Sequence, residues 1–145
     1  MKLKMSLDDL NKFMAEVFPQ VVDDFVIEAV DAGEITVRMV VGDVHLRPGG
    51  TVSGPSMFAL ADVSMYLAIL AMVGPKALAV TTNCSIDFMR KPVAGVDLIG
   101  KARVLKLGRS LAVGDVLLYS VGQEAPVARA GLTYSLPPIG VELQN

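Results

Sequence analysis

The sequence predicts a single α+β domain: one antiparallel sheet of about six strands wrapped around a long central helix, with a short helix in front. Three observations carry this expectation. Residues 56–73 form an apolar run of about five helical turns in which Asp62 is the only charge. The segments after it read as strands joined by short turns, which makes strands antiparallel. The chain has 145 residues, 52% of them hydrophobic, enough to close one core without disulfides or metals.

The elements follow in order. Leu3, Leu7, Leu10, Phe13, Met14, Val17 and Phe18 recur at helical spacing. Ser6 with Asp9 forms a capping box and Pro19 stops the pattern, so a helix is expected over 6–18. Residues 25–31 and 34–42 flank Ala32-Gly33, a hairpin signal. In the second of them Ile35, Val37, Met39 and Val41 share one face, opposite Thr36 and Arg38. A loop rich in Gly and Pro then leads into the apolar helix, which Gly74-Pro75 ends. Strands are expected at 77–89, 97–107, 110–121 and 127–136, with a loose tail over 139–145. In 77–89 the alternation sets Leu78, Val80, Cys84, Ile86 and Phe88 on one face, and Ala79, Thr81, Asn83, Ser85 and Asp87 on the other. With no repeat or low-complexity linker, residues 1–145 form one domain.

Composition narrows the function. A net charge of −2 provides no basic footprint for nucleic acid. One cysteine, Cys84, and one histidine, His45, leave neither a disulfide framework nor a familiar zinc constellation. The mean hydropathy of +0.52 is high and raises the question of a membrane. Asp8, Asp9, Lys12 and Glu16 interrupt any signal-peptide core at the N-terminus. Residues 56–73 just reach the ~18 residues of a spanning helix. Asp62 would then sit near mid-span, at a cost of ~2.5–3.5 kcal/mol. A helix apolar on every side is better explained by burial in a core than by a membrane, so no membrane contact is expected. One sheet cannot surround it, which points to self-association.

Chemistry can be sorted in the same way. Gly49 to Gly54 has P-loop spacing, but Pro55 stands where the phosphate-binding Lys belongs. Ser53, His45 and Asp62 supply the residue types of a hydrolase triad, which is defined by geometry rather than composition. Cys84 on an apolar strand face reads as an inert small hydrophobe. Asp62 is the informative residue, because a carboxylate inside an apolar helix is costly to bury. It is either a structural aspartate, hydrogen-bonded to a loop or a partner subunit, or a base or nucleophile poised by desolvation. Gly54-Pro55 suits a helix start, with Pro55 at the first helical position. Gly54 is then either a simple cap or a free backbone N–H at the positive helix end, an oxyanion-hole arrangement. Eight residues separate Gly54 from Asp62, ~12 Å along the axis, so two chains side by side could join one helix start to the other's aspartate.

At these residues the sequence resembles the hotdog-fold acyl-CoA thioesterases of the phenylacetate-pathway (PaaI-like) type. That family carries a loop N-P-x-G-x-x-H-G-G and then a helix with L-x-D. Here the matching stretch is Arg47-Pro48-Gly49-Gly50-Thr51-Val52-Ser53-Gly54-Pro55, followed by Leu60-Ala61-Asp62. The similarity continues through Asn83 to Pro92, Val104 to Ala112 and Val127 to Tyr134, covering roughly 25–136. It implies a hotdog fold, homodimers or homotetramers with sites at the subunit interface, and hydrolysis of acyl-CoA in the cytoplasm. The substrate brings CoA; no metal or separate cofactor is implied. Asp62 would be the base or nucleophile and Gly54 N–H the oxyanion donor. Thr81 would place the water, although a polar strand residue is an equal explanation. Arg90, Lys91 and Arg109 match a region where basic side chains meet CoA phosphates, although they also read as solvated turn charges.

The departures are specific. Ser53 replaces the family histidine, Pro55 the second glycine and Arg47 the asparagine. Ser53 retains one hydrogen-bond donor, and Arg47 suits a carboxylated acyl group or a phosphate. Ser53, Pro55 and Arg47 therefore join Arg90, Lys91 and Arg109 as substrate-binding candidates. The alternative is a non-catalytic hotdog module that binds acyl-CoA or an acyl carrier protein.

Overall fold

The computed structural model describes residues 2–75 and 79–137. Chain order is α1 (Leu7–Val17), β1 (Phe25–Asp31), β2 (Glu34–Met39), α2 (Gly54–Val73), β3 (Val80–Phe88), β4 (Leu98–Leu107), β5 (Leu111–Ser120) and β6 (Ala128–Ser135). The expected elements are all present, trimmed by a few residues at their ends. Residues 77–78 of the expected third strand and the tail at 139–145 lie outside the described residues. Single 3-10 turns at Val22–Asp24 and Asp43–His45 lie in segments read as connections.

α1 begins as its sequence dictates. The Ser6 N–H donates to Asp9 Oδ2 at 3.0 Å and the Asp9 N–H to Ser6 Oγ at 3.2 Å, so two of the donors left free at the helix start are satisfied. Leu10, Phe13 and Met14 are buried, and the Lys4 and Met5 N–H groups donate to the Ala71 carbonyl at 2.7 and 3.2 Å. The N-terminal segment is thereby stitched to the last turn of α2.

The six strands form one antiparallel sheet in the order β1-β2-β4-β5-β6-β3. The β1–β2 hairpin turns at Ala32-Gly33, with Gly33 at φ 75°, a left-handed conformation that favours glycine. One expectation is corrected: β3 and β4, joined only by residues 89–97, are not neighbours. The connecting segment crosses the end of the sheet and is tied down by Asp97. Asp97 accepts from Val41 N–H at 2.9 Å and from Arg38 Nη1 at 3.0 Å. These contacts, the Val41 N–H foremost, hold its carboxyl below the usual carboxylate range. β3 is left at the sheet edge.

α2 lies on the concave face, against β4, β2, β5 and β6. It is long and apolar enough to cross a membrane, but 67% of its 18-residue apolar stretch is buried inside the domain, and it serves as the core helix. Close approach depends on two glycines. A Cβ on Gly100 would lie 2.6 Å from Ser64 Oγ, and one on Gly114 would strike the Met65 side chain and lie 2.5 Å from the Arg103 carbonyl. The helix is not covered all round. Pro55, Phe58, Ala59, Asp62 and Val63 form a stripe at helical spacing that stays exposed or half-buried, along the flank of the helix beside the edge strand β3.

Gly114→Ala is expected to lower the unfolding free energy by ~1–3 kcal/mol, because neither the Arg103 backbone nor the packed Met65 can yield freely. A Cβ on Gly131 would meet nothing within 4 Å, so Gly131→Ala should stay within ~0.5 kcal/mol. Urea denaturation midpoints of the two variants test the contrast.

Candidate active site

The loop before α2 is built to deliver a helix start. Arg47 N–H donates to Thr51 O at 2.8 Å and Gly50 N–H to Arg47 O at 3.0 Å. Gly49 and Gly50 take φ of 105° and 85°, closing a tight turn with Arg47 at its base. Ser53, not Gly54, is the N-cap. Its Oγ accepts from Ser56 N–H at 3.3 Å and lies 3.1 Å from Ser56 Oγ. Gly54 is therefore the first helical residue and Pro55 the second, one position later than expected, because the serine side chain outcompetes glycine as a cap. The Gly54 N–H has no backbone acceptor among the described residues, as the first position of a helix requires.

Two turns along α2, Asp62 is held by donors from two strands. Thr81 Oγ1 donates to Asp62 Oδ1 at 2.6 Å, and Tyr134 Oη approaches the same oxygen at 2.5 Å and the Asp62 carbonyl at 3.0 Å. Oδ2 has no hydrogen-bond partner among the described residues. One carboxylate oxygen is thus anchored and the other is left open.

Thr81 reaches this position through an irregularity that simple alternation does not anticipate. Alternation sets Thr81 opposite to Cys84, whereas the structure turns both inward. A bulge between Thr81 and Asn83 pairs Thr81 with Tyr134 and Cys84 with Leu132. The extra residue, Thr82, shifts the pleat by one and re-aims Thr81 at α2.

Tyr134 is a site residue that the sequence reading does not single out. Its signal is the inward row Ala128, Ala130, Leu132, Tyr134 on β6: a buried phenol needs a partner, and Asp62 is the carboxylate within reach. Burial, and then the charge of Asp62, push the Tyr134 hydroxyl far above its ordinary range, so it remains a proton donor. Burial likewise raises Tyr66 to about 12, and its hydroxyl has no partner among the described residues. The Cys84 thiol is pushed up by burial and then by Asp62, in keeping with an inert side chain.

The remaining candidates separate. His45 is buried, its Nδ1 accepting from Gly42 N–H at 2.8 Å and its Nε2 lying 3.5 Å from Asp24. With Ser53 engaged in capping, His45, Ser53 and Asp62 make no triad. A Cβ on Gly54 would sit 3.4 Å from the Phe88 ring, so Gly54 lies at the end of β3 that continues into Arg90 and Lys91. Asp62 and Thr81 lie at the other end, where Leu111 and Ser135 also pair and Arg109 turns the chain. Arg90 Nε donates to the Pro126 carbonyl at 2.9 Å; Arg90, Lys91 and Arg109 are all exposed. Within one chain the proposed oxyanion donor and the carboxylate are therefore at opposite ends of an edge strand. No group of three or more His, Cys, Asp and Glu side chains placed to hold a metal occurs among the described residues.

The tyrosines predict a pH response. Tyr66 and Tyr134 keep their protons in the folded state to higher pH than in the unfolded chain, whose phenols ionise near ~10. Their contribution is complete below that value; the Tyr66 part is lost as pH climbs from it through about 12, and the Tyr134 part only at still higher pH. The melting temperature should therefore fall above pH ~10, and Tyr66→Phe should reduce that fall. At neutral pH Tyr66→Phe should cost no stability, because it removes an unpartnered hydroxyl. Thermal melts across pH test both statements.

The family model for the thioesterase superfamily matches residues 49–127, more than half of the chain. A crystal structure of a Silicibacter sp. TM1040 protein classed as a thioesterase is 63% identical. It covers 95% of this chain and 96% of its own, with a TM-score of 0.90. The phenylacetic acid degradation protein PaaI of Thermus thermophilus, solved as a point mutant, is 28% identical. That match covers 82% of this chain and 99% of its own, with a TM-score of 0.70. A Pseudomonas aeruginosa protein classed as an esterase is 31% identical over 104 residues, 72% of this chain and 76% of the relative. An antiparallel sheet wrapped around one long helix is the hotdog fold, and the chain belongs to the thioesterase superfamily as a PaaI-like member.

Proposed function

We propose that this protein hydrolyses an acyl-CoA thioester to the free acid and CoA, with Asp62 as the base and no metal or separate cofactor. The observation that supports this best is Asp62 itself, with Oδ1 anchored by Thr81 and Tyr134 and Oδ2 open. In the proposed reaction Oδ2 takes a proton from a water held beside Thr81. The water oxygen forms a bond to the thioester carbonyl carbon. The carbonyl oxygen becomes an oxyanion that accepts from the Gly54 N–H, with the positive end of α2 behind it. Collapse breaks the C–S bond, and the departing thiolate receives the proton.

That scheme needs a second subunit. Gly54 and Asp62 lie eight residues apart on α2, ~12 Å along the axis, too far for one thioester carbonyl and its attacking water to span. β3 is an edge strand whose ends carry exposed apolar side chains, Val80 at 55% and Phe88 at 52%. Long apolar edges are templates for pairing. A two-fold antiparallel pairing of β3 with its copy would set each Thr81 opposite a partner Phe88. Each Asp62 would then approach the partner's Gly54, and the open stripe of α2 would be covered. The same pairing carries Arg90 and Lys91 of one chain towards Arg109 of the other, a basic rim suited to CoA phosphates. Arg47 and Pro55 belong to the helix-start end and would face the substrate from the partner. Dimers could pair further into tetramers, and a cytoplasmic location suits an enzyme acting on CoA esters. The second reading, a non-catalytic acyl-CoA or acyl-carrier binder, is favoured by Ser53: it replaces the family histidine, and its hydroxyl is taken up by the cap.

Steady-state hydrolysis over an acyl-CoA panel decides between them. Wild-type turnover well above background is expected, with a loss of ~10²–10⁴-fold in Asp62→Asn. Background rates with retained binding would favour the second reading. The composite site has its own test in Gly54→Pro, which deletes the N–H. Proline fits the first helical position, and Ser53 already has the extended backbone, φ −74° and ψ 157°, that a residue before proline needs. Each single variant should be inactive, whereas co-folded Asp62→Asn and Gly54→Pro chains should recover about a quarter of wild-type turnover by random two-fold pairing. No recovery would place both groups in one chain.

A further inference from the structure

The N-terminal helix has no part in the chemistry above, yet it borders it. A cavity of about 370 Å³ opens beside Asp62, Thr81 and Tyr134, and its far wall is made by Met14 of α1 and by Phe18 and Val21 just after it. Phe18 sets its ring edge-on to Tyr66, one turn beyond Asp62, at a centroid distance of 5.6 Å and an angle of 89°. Met14 is buried, Phe18 half-buried. Among the described residues Asp62 is the only charged side chain on the cavity wall.

We infer that this cavity receives the acyl group of the thioester and that α1 is its outer wall, with Phe18 and Met14 limiting the size of an uncharged, medium-length acyl chain. The inference rests on the thioesterase reading of Asp62 and adds the substrate class to it. Three observations support it. The cavity touches the carboxylate, so a chain lying in it has its carbonyl end at Asp62. At ~30 Å³ per water-sized group the cavity has room for on the order of ten heavy atoms, more than an acetyl group fills. A second carboxylate on the acyl group would be desolvated beside Asp62 with no cation on the wall, which is strongly unfavourable. Arg47, considered above as a partner for a carboxylated acyl group, does not line the cavity of its own chain, and in the proposed dimer the partner's Arg47 would come with the partner's Gly54 to the carbonyl end rather than to the wall made by α1.

The test measures kcat/KM for straight-chain acyl-CoAs from acetyl to palmitoyl, and for succinyl-CoA, with wild type, Phe18→Ala and Val21→Trp. Circular dichroism melts show which variants are folded. The wild type should peak at medium length, with succinyl-CoA among the poorest substrates. Phe18→Ala should move the peak to longer chains and Val21→Trp to shorter ones, with about tenfold in relative kcat/KM per methylene at the limit. A peak that stays in place in a folded variant of either kind, or succinyl-CoA as the best substrate, would overturn the pocket and leave the hydrolase intact. No hydrolysis of any acyl-CoA by the wild type would instead overturn the thioesterase reading. The cavity is then read by calorimetric titration of Asp62→Asn with straight-chain fatty acids. Binding that is best at medium length and lengthens when Phe18→Ala is added supports the pocket; no binding at any length overturns it.

Discussion

The close seating of α2 on the sheet is the constraint on which the rest of the structure depends. A helix with apolar residues on every side must be enclosed, and here the enclosure is tight because Gly100 and Gly114 let the helix settle against β4 and β5. Distance from helix to sheet fixes the height of Asp62 above Thr81 and Tyr134. The wall that closes the cavity from the other side, α1, is fastened to the same helix through the Ala71 carbonyl. Core packing and site geometry are therefore one problem, solved by the same contacts.

Asp62 shows how a charged group is accommodated in such a helix. An unpaired carboxylate there would be costly, and the structure meets that cost with two hydroxyl donors on a single oxygen. Neither donor is itself charged, so no cation neutralises the group and Oδ2 stays open. Asp62 is structurally hydrogen-bonded through one oxygen and still has a free one. The bulge at Thr82 is the local device that makes this possible, since regular β3 would turn Thr81 to the outer face.

Membership of the thioesterase superfamily and the open face of α2 point in the same direction. One sheet covers the helix incompletely, and the stripe left open runs along its flank past the half-buried Asp62. The edge strand β3 separates the helix start from the carboxylate by most of its length, and a two-fold operation exchanges its ends. In the proposed enzyme, burial of the apolar stripe and completion of the site are the same event.

Much of the fold was legible in the sequence because it depends on local rules. The capping box at Ser6, the hairpin at Gly33, the period-two strands and the all-round apolar helix each declare themselves within a few residues. Asp62 was legible for the same reason, as the one charge in an apolar run. Tertiary structure decided the rest: the placement of β3 beside β6 rather than β4, the bulge that turns Thr81 inward, the recruitment of Tyr134, the use of Ser53 as the cap, and the cavity under α1. Each of these depends on contacts that a local pattern does not display, and the choice among them is made by packing and by the need to satisfy buried polar groups. Periodicity specifies which face of an element is apolar; only the assembled core decides what that face meets.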